Sequence, residues 1–155
     1  VLFRSRELLK SYFPQLRRIR ITVGYEARAF NIEEAASLIY THPRLLSLQE
    51  MYRVAAFYRP GTEQYREIYE IAAYHFPDDV LANINAASAV IMVGDPVSAR
   101  QYLSKVADDP RAWNDFGVLA YLEGDRKKAE KWFRKALGIE PEKARKNLKK
   151  MKYEE

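Results

Sequence analysis

The 155-residue sequence has no cysteine and only two histidines and two tryptophans. Without cysteine there are no disulfides, thiolate zinc sites or cysteine nucleophiles, and the redox compartment stays open. His42 sits in a Thr-His-Pro turn and His75 beside Phe76. Neither has a partner at i, i+4 or a nearby carboxylate cluster, the arrangement a metal or an acid–base pair needs, so both read as turn and surface residues. No Gly-rich phosphate loop, nucleophile elbow or Walker sequence occurs. No apolar run approaches the roughly 20 residues of a membrane span, and residues 1–10 lack the apolar core of a signal peptide. The chain therefore reads as soluble and non-enzymatic, with no cofactor and no metal.

What is present is a 48% hydrophobic chain long enough for one core and short for two. The formal charge of +5 comes from 26 basic and 21 acidic residues, largely interspersed as on a solvated helical surface. The excess gathers at Arg17, Arg18 and Arg20 and along residues 143–152. Neither place interleaves with stacking aromatics, which argues against nucleic acid as the partner.

Taken in order, Leu2, Leu8, Leu9, Tyr12 and Phe13 give a short N-terminal helix that Pro14 ends. From residue 18 to residue 30 the period changes to two. Ile19, Ile21, Val23, Tyr25 and Ala27 share one face and Arg18, Arg20, Thr22 and Glu26 the other, which predicts one β-strand. A lone strand cannot satisfy its own backbone. It pairs with a strand of an upstream domain, pairs with another copy, or lies as an extended arm on the helices. Asn31 and Glu34 then form an approximate capping box, and Ser47, Thr62, Asp95 and Asp125 are further helix caps.

The most specific stretch is residues 113–141. Trp113, Phe116, Tyr121, Phe133, Ala136 and Leu137 supply bulk at i, i+3, i+4 spacings, while Gly117 and Ala129 are small enough to mark where two antiparallel helices approach most closely. Gly124 frees the backbone to end the first helix, and Pro141 stops the second or opens the next. In this order Trp113, Phe116, Gly117, Ala129, Phe133, Ala136 and Pro141 resemble the tetratricopeptide repeat, with Ala120 where that family often has tyrosine. Residues 78–110 resemble a further repeat through Ala87, Gly94, Asp95, Ala99, Leu103 and Val106, with Asn83 in place of the tryptophan. Residues 47–77 are a degenerate first repeat, in which Tyr65 replaces a small residue and Arg53 lies near the expected glycine.

The resemblance implies an all-α fold: a solenoid of antiparallel helix pairs with about three repeats and a C-terminal capping helix, preceded by the short helix and the strand. Residues 1–45 form the N-terminal part and residues 46–155 the repeat domain. In the capping helix Ala144, Leu148 and Met151 face inward, and Lys143, Arg145, Lys146, Lys149, Lys150 and Lys152 outward. Residues 13–39 and 45–58 are similar to the region that follows the peptidoglycan-binding, outer-membrane-protein-A-like domain in Bacteroidetes envelope proteins ending in tetratricopeptide repeats. That similarity implies such a domain upstream in the full-length protein and a place in the periplasm or at the outer membrane, with the cytoplasm as the alternative.

By the same resemblance the first helix of each repeat lines a concave face. Leu81, Ile84, Asn85, Ser88, Ile91 and Met92 would point into it from one repeat. Arg111, Asn114, Asp115, Val118, Tyr121 and Leu122 would do so from the next. The asparagines suit the backbone of an extended peptide, and Ile91, Val118 and Tyr121 offer apolar pockets. Ile84 and Ser88 stand at two places where the family's clamp for chaperone carboxylate tails wants Lys and Asn, which speaks against that partner class. The expected function is non-catalytic scaffolding through a protein or peptide partner in this groove. The groove could instead be filled by the chain's own N-terminal segment, and the alternative function is binding of nucleic acid or an anionic membrane through the basic C-terminal helix.

Overall fold

Capping chemistry sets where most of the helices begin. A computed structural model describes Arg6, Lys10 and residues 21–24 and 28–153 of the chain, and its architecture is all-helical. Eight helices are delimited among the described residues: α1 (Ile32–Leu38), α2 (Leu48–Ala55), α3 (Glu63–His75), α4 (Val80–Met92), α5 (Pro96–Ser104), α6 (Trp113–Leu122), α7 (Arg126–Ala136) and α8 (Pro141–Tyr153). Asn31 with Glu34 and Ser47 with Glu50 form complete capping boxes at α1 and α2. Thr62, Asp79, Asp95 and Asp125 each accept a first-turn N–H of α3, α4, α5 and α7. Each such cap supplies about 1 kcal/mol by satisfying an otherwise orphaned donor.

The links within the pairs α4–α5 and α6–α7 are the same turn built twice. Gly94 and Gly124 adopt φ of 82° and 83°, a region closed to side-chain-bearing residues without strain. Behind each glycine the next N–H reaches back five residues, Asp95 N–H to the Val90 carbonyl at 3.0 Å and Asp125 N–H to the Ala120 carbonyl at 2.9 Å. This is the Schellman geometry, and its last residue at once caps the following helix. Asp79, Ala87, Asp95, Ala99 and Leu103 recur thirty positions on as Asp109, Gly117, Asp125, Ala129 and Phe133.

Each helix packs chiefly on its sequence neighbours, with α4 also touching α6, and α6 touching α8. The core is correspondingly a row of clusters. Met51, Val54 and Ile68 join α1, α2 and α3; Ala73, Ala82 and Ala86 join α3 to α4; Val90, Leu103 and Leu119 join α4, α5 and α6; Ala120, Ala129 and Phe133 join α6 and α7, with Leu148 and Met151 of α8 packed on them. Among the described residues fourteen of the twenty-five buried apolar side chains are alanine, so most helix contacts are short-range and intolerant of added bulk. The tightest is at Gly117, where a Cβ would lie 2.4 Å from the ring of Phe133. Bulk returns at its flanks: Phe116 stacks on Trp132 at 5.0 Å, and Lys135 lies over the rings of both Trp113 and Trp132. In the α2–α3 pair, aromatic rings add to the buried Ala55 and Ala72: Tyr52 of α2 meets Tyr69 of α3 as tilted rings with centroids 5.3 Å apart, and Tyr65 lies tilted against Tyr69 on the same helix at 4.8 Å.

The expected strand at residues 18–30 is not seen. Residues 18–20 and 25–27 lie outside the described residues, as does most of the expected N-terminal helix. Residues 21–24 and 28–30 carry no regular secondary structure, with Ile21 and Val23 exposed. A period-two pattern becomes a strand only beside another strand, and none exists among the described residues. Side chains of α2 take up the backbone instead. Phe30 N–H donates to Glu50 Oε1 at 2.6 Å, and Arg53 Nη2 donates to the Phe30 carbonyl at 2.9 Å. Arg53 is thus exposed and holds the N-terminal arm, rather than lying at a helix contact. Glu50 is buried, and its bonds to the Ser47 hydroxyl and backbone hold its carboxyl below the usual range.

Two outcomes check this account. Gly117→Ala should destabilise the protein by about 1–3 kcal/mol in urea unfolding, and pairing it with Phe133→Leu should recover part of that loss in a double-mutant cycle. Glu50→Ala should cost about 1–3 kcal/mol, because it strips a cap and leaves a buried N–H unpaired, and amide exchange at Phe30 should accelerate before exchange in α4 to α8.

Candidate functional site

Parts of the stripes predicted to form a groove are linked from α4 to α6, and α8 packs on α6 beside them. On α4, Leu81, Asn85, Ser88 and Met92 fall at i, i+4, i+7 and i+11, one side of the helix. Polar rungs tie this side to its neighbours. Ser88 Oγ donates to Asp115 Oδ2 at 2.6 Å, joining α4 to α6. Asn147 Nδ2 donates to Asn114 Oδ1 at 3.0 Å, joining α6 to α8. Beside the second rung Val118, Tyr121 and Leu122 line a cleft of about 130 Å³, closed on its far side by Asn147, Lys150 and Met151 of α8. Leu122, Met92 and Leu81 are 47%, 53% and 44% exposed, leaving apolar surface along the face.

Individual residues depart from the expected arrangement. Ile84 is buried in the core with Ala87 and Leu103 and does not line the face, and Ile91 packs half-buried on the same cluster. Asn114 is 6% exposed and its carbonyl oxygen is taken by Asn147. Arg111 is held in a two-pronged pair with Asp109 at 2.8 and 2.9 Å. Asn85 and Ser88 are half-buried. Asn83 is buried and donates to the Pro77 and Asp79 carbonyls at 2.8 Å, fixing the α3–α4 link as a structural residue. Of the signature residues, Ala87, Ala99, Ala129, Phe133 and Ala136 are buried, Gly94 and Gly124 turn the chain, and Pro141 opens α8.

Sequence reasoning missed the contribution of α8, whose Asn147 and Lys150 complete the face. The signal was available: Lys143, Asn147, Lys150 and Met151 lie at i, i+4, i+7 and i+8, one helical side. Nearby, Lys143 pairs with Glu140 at 2.6 Å. Burial pushes the Asp115 carboxyl up to about 6, only partly offset by the Ser88 hydroxyl and the Lys143 ammonium. Among the described residues no group of three or more His, Cys, Asp or Glu side chains is placed to hold a metal ion. No described helix is long and apolar enough to cross a membrane. The arrangement offers hydrogen-bonding groups and apolar clefts along a shared face. Comparison of the chain with the models of known protein families and with curated proteins finds no match.

Asp115 carries a pH dependence of definite sign. Its folded value near 6 exceeds its ordinary 3.8, so the fold favours the protonated form. The stability this confers is complete below about pH 4 and lost as pH rises through 6. Asp115→Asn keeps an acceptor for Ser88 without the charge. It should therefore stabilise the protein at pH 8, by up to the order of 2 kcal/mol, and give little gain at pH 4 in paired thermal melts.

Proposed function

We propose that this chain is a non-catalytic interaction module, a tetratricopeptide-like solenoid that receives an extended peptide or a partner helix along the face of α4, α6 and α8. The observation carrying the reading is the continuity of that face. Leu81, Asn85, Met92, Val118 and Leu122 lie along it, and the Ser88–Asp115 and Asn114–Asn147 bonds fix its helices relative to one another. Exposed apolar side chains interleaved with amide and hydroxyl groups suit a peptide that presents alternating backbone and side-chain contacts.

The solenoid reading rests on the doubled Gly-Asp turn, the close contact at Gly117 and the row of clusters shared by successive helices. The thirty-residue spacing is shorter than the family's unit of about 34 residues, and α5 is correspondingly brief at nine residues. Residues 78–110 and 113–141 form its better-matched units, residues 47–77 the degenerate one, and α8 the capping helix. The groove is narrowed by α8. On the resemblance of residues 13–39 and 45–58 to Bacteroidetes envelope proteins, the module belongs to a larger envelope protein with a peptidoglycan-binding domain upstream, at the outer membrane or in the periplasm.

Selection of peptides from a random library on the immobilised chain, followed by hydrogen-exchange footprinting, tests the reading. Protection should fall on α4, α6 and α8, and Asn85→Lys with Leu122→Asp should weaken binding at least about tenfold, the loss of one or two central contacts. A footprint elsewhere, or binding unchanged in that variant, overturns it. Salt-sensitive binding of DNA, lost on Lys146→Glu with Lys150→Glu, would favour the basic-helix alternative instead.

A further inference from the structure

The end of the molecule formed by α7 and α8 carries two adjoining clefts, of whose lining Met151 alone also borders the cleft on the α4–α6–α8 face. One, about 580 Å³, is lined by Leu148 and Met151 together with Arg126, Lys127, Glu130 and Lys152. The second, about 340 Å³, shares Leu148 and Lys152 and adds Leu137, Arg145, Lys149 and Tyr153. Together they set a strip of apolar side chains inside a ring of five cations and one carboxylate, and that carboxylate, Glu130, already pairs with Arg134 at 2.7 Å. The ring is held in place. The Arg126 guanidinium donates to the Met151 carbonyl in the last turn of α8 and lies 5.8 Å from the centre of the Tyr121 ring, tying the start of α7 to the end of α8.

We propose that these clefts dock an acidic amphipathic helix of a protein partner, whose apolar stripe fills the space over Leu137, Leu148 and Met151 and whose carboxylates meet the surrounding lysines and arginines. Shape and charge carry the argument jointly. A concave apolar strip between two helices accepts side chains at i, i+3, i+4 and i+7 of a third helix. The excess of cations around the strip selects the sign of that helix and rejects a basic one. A bilayer fits less well. Ala144 is buried, and Leu148 and Met151 lie recessed in clefts between α7 and α8, where the side chains of a docked helix can reach them but a flat lipid surface meets the surrounding cations first.

The test uses the full chain and a fluorescein-labelled peptide of roughly 18 residues, long enough for helical structure to form on binding. Its leucines stand at i, i+3, i+4 and i+7 and its remaining positions are mostly glutamate. Fluorescence anisotropy should show saturable binding that weakens with added NaCl, while a peptide with lysine for each glutamate should not bind. Lys127→Glu with Lys152→Glu should weaken binding at least about tenfold, the usual cost of reversing close interface charges. Lys127→Glu alone also places an acid in the first turn of α7, where it favours the helix, so its loss of binding cannot come from unfolding. Arg44→Glu, on the distant Pro43–Leu45 turn, should leave binding unchanged. The proposal is overturned by absence of saturable binding, by equal binding of the lysine peptide, or by binding indifferent to Lys127→Glu. Co-sedimentation with phosphatidylglycerol vesicles in place of peptide binding would equally overturn it. Asn85→Lys with Leu122→Asp, which alters the α4–α6–α8 face and the lining of neither cleft, should leave binding of this acidic peptide unchanged, so failure of that face and failure of these clefts are told apart.

Discussion

Close approach of helix backbones is the constraint on which the rest of this structure depends. Dispersion and burial act over a few ångströms, so helices faced with alanine and glycine must come close to gain anything from packing. Gly117 marks the limit, since the ring of Phe133 occupies the space a methyl group would need. Once the helices are that near, bulky residues fit only beside the contact, which is where Phe116 and Trp132 stack. Polar side chains at the margin then reach the next helix, and the Ser88–Asp115 and Asn114–Asn147 bonds follow from this geometry. In the first pair the small Ala55 and Ala72 are joined by a ring contact, Tyr52 of α2 against Tyr69 of α3.

Local chemistry was the legible part of this chain. A capping box or a Gly-Asp turn is decided within six residues, so Asn31 with Glu34, Ser47, Gly94 with Asp95 and Gly124 with Asp125 could be read without knowing the fold. The all-α class came instead from the resemblance of residues 113–141 to a helical repeat. The strand failed for the opposite reason, because alternation at residues 18–30 says nothing of whether a second strand exists to pair with it. At the candidate site the helix faces were readable but their edges were not. Ile84 and Asn85 are 100° apart on α4, and only the position of α5 decides that one is core and the other faces outward. Asn147 was overlooked because its partner Asn114 lies 33 residues away, on a helix that is not its sequence neighbour.

Charge is distributed according to what each part of the surface faces. The carboxylate at Asp115 sits between helices and resists ionisation, whereas the cations of α8 stand in solvent and around the terminal clefts. The net charge of +5 is therefore a poor guide to what the molecule binds. Its consequences depend on whether a given cation adjoins apolar surface, as Lys127 and Lys152 do, or an opposing acid, as Arg111 does beside Asp109.

The grip of Glu50 and Arg53 on residue 30 involves only its main-chain N–H and carbonyl. Such a grip is blind to the identity of the side chain it holds. For these two bonds proline alone is forbidden at position 30, because it lacks the N–H, while the size and polarity of the side chain answer to the α1–α3 core on which Phe30 packs. The fidelity of the attachment is instead vested in two residues of α2, twenty and twenty-three positions further along the chain, so the arm and its anchor can diverge at different rates without parting.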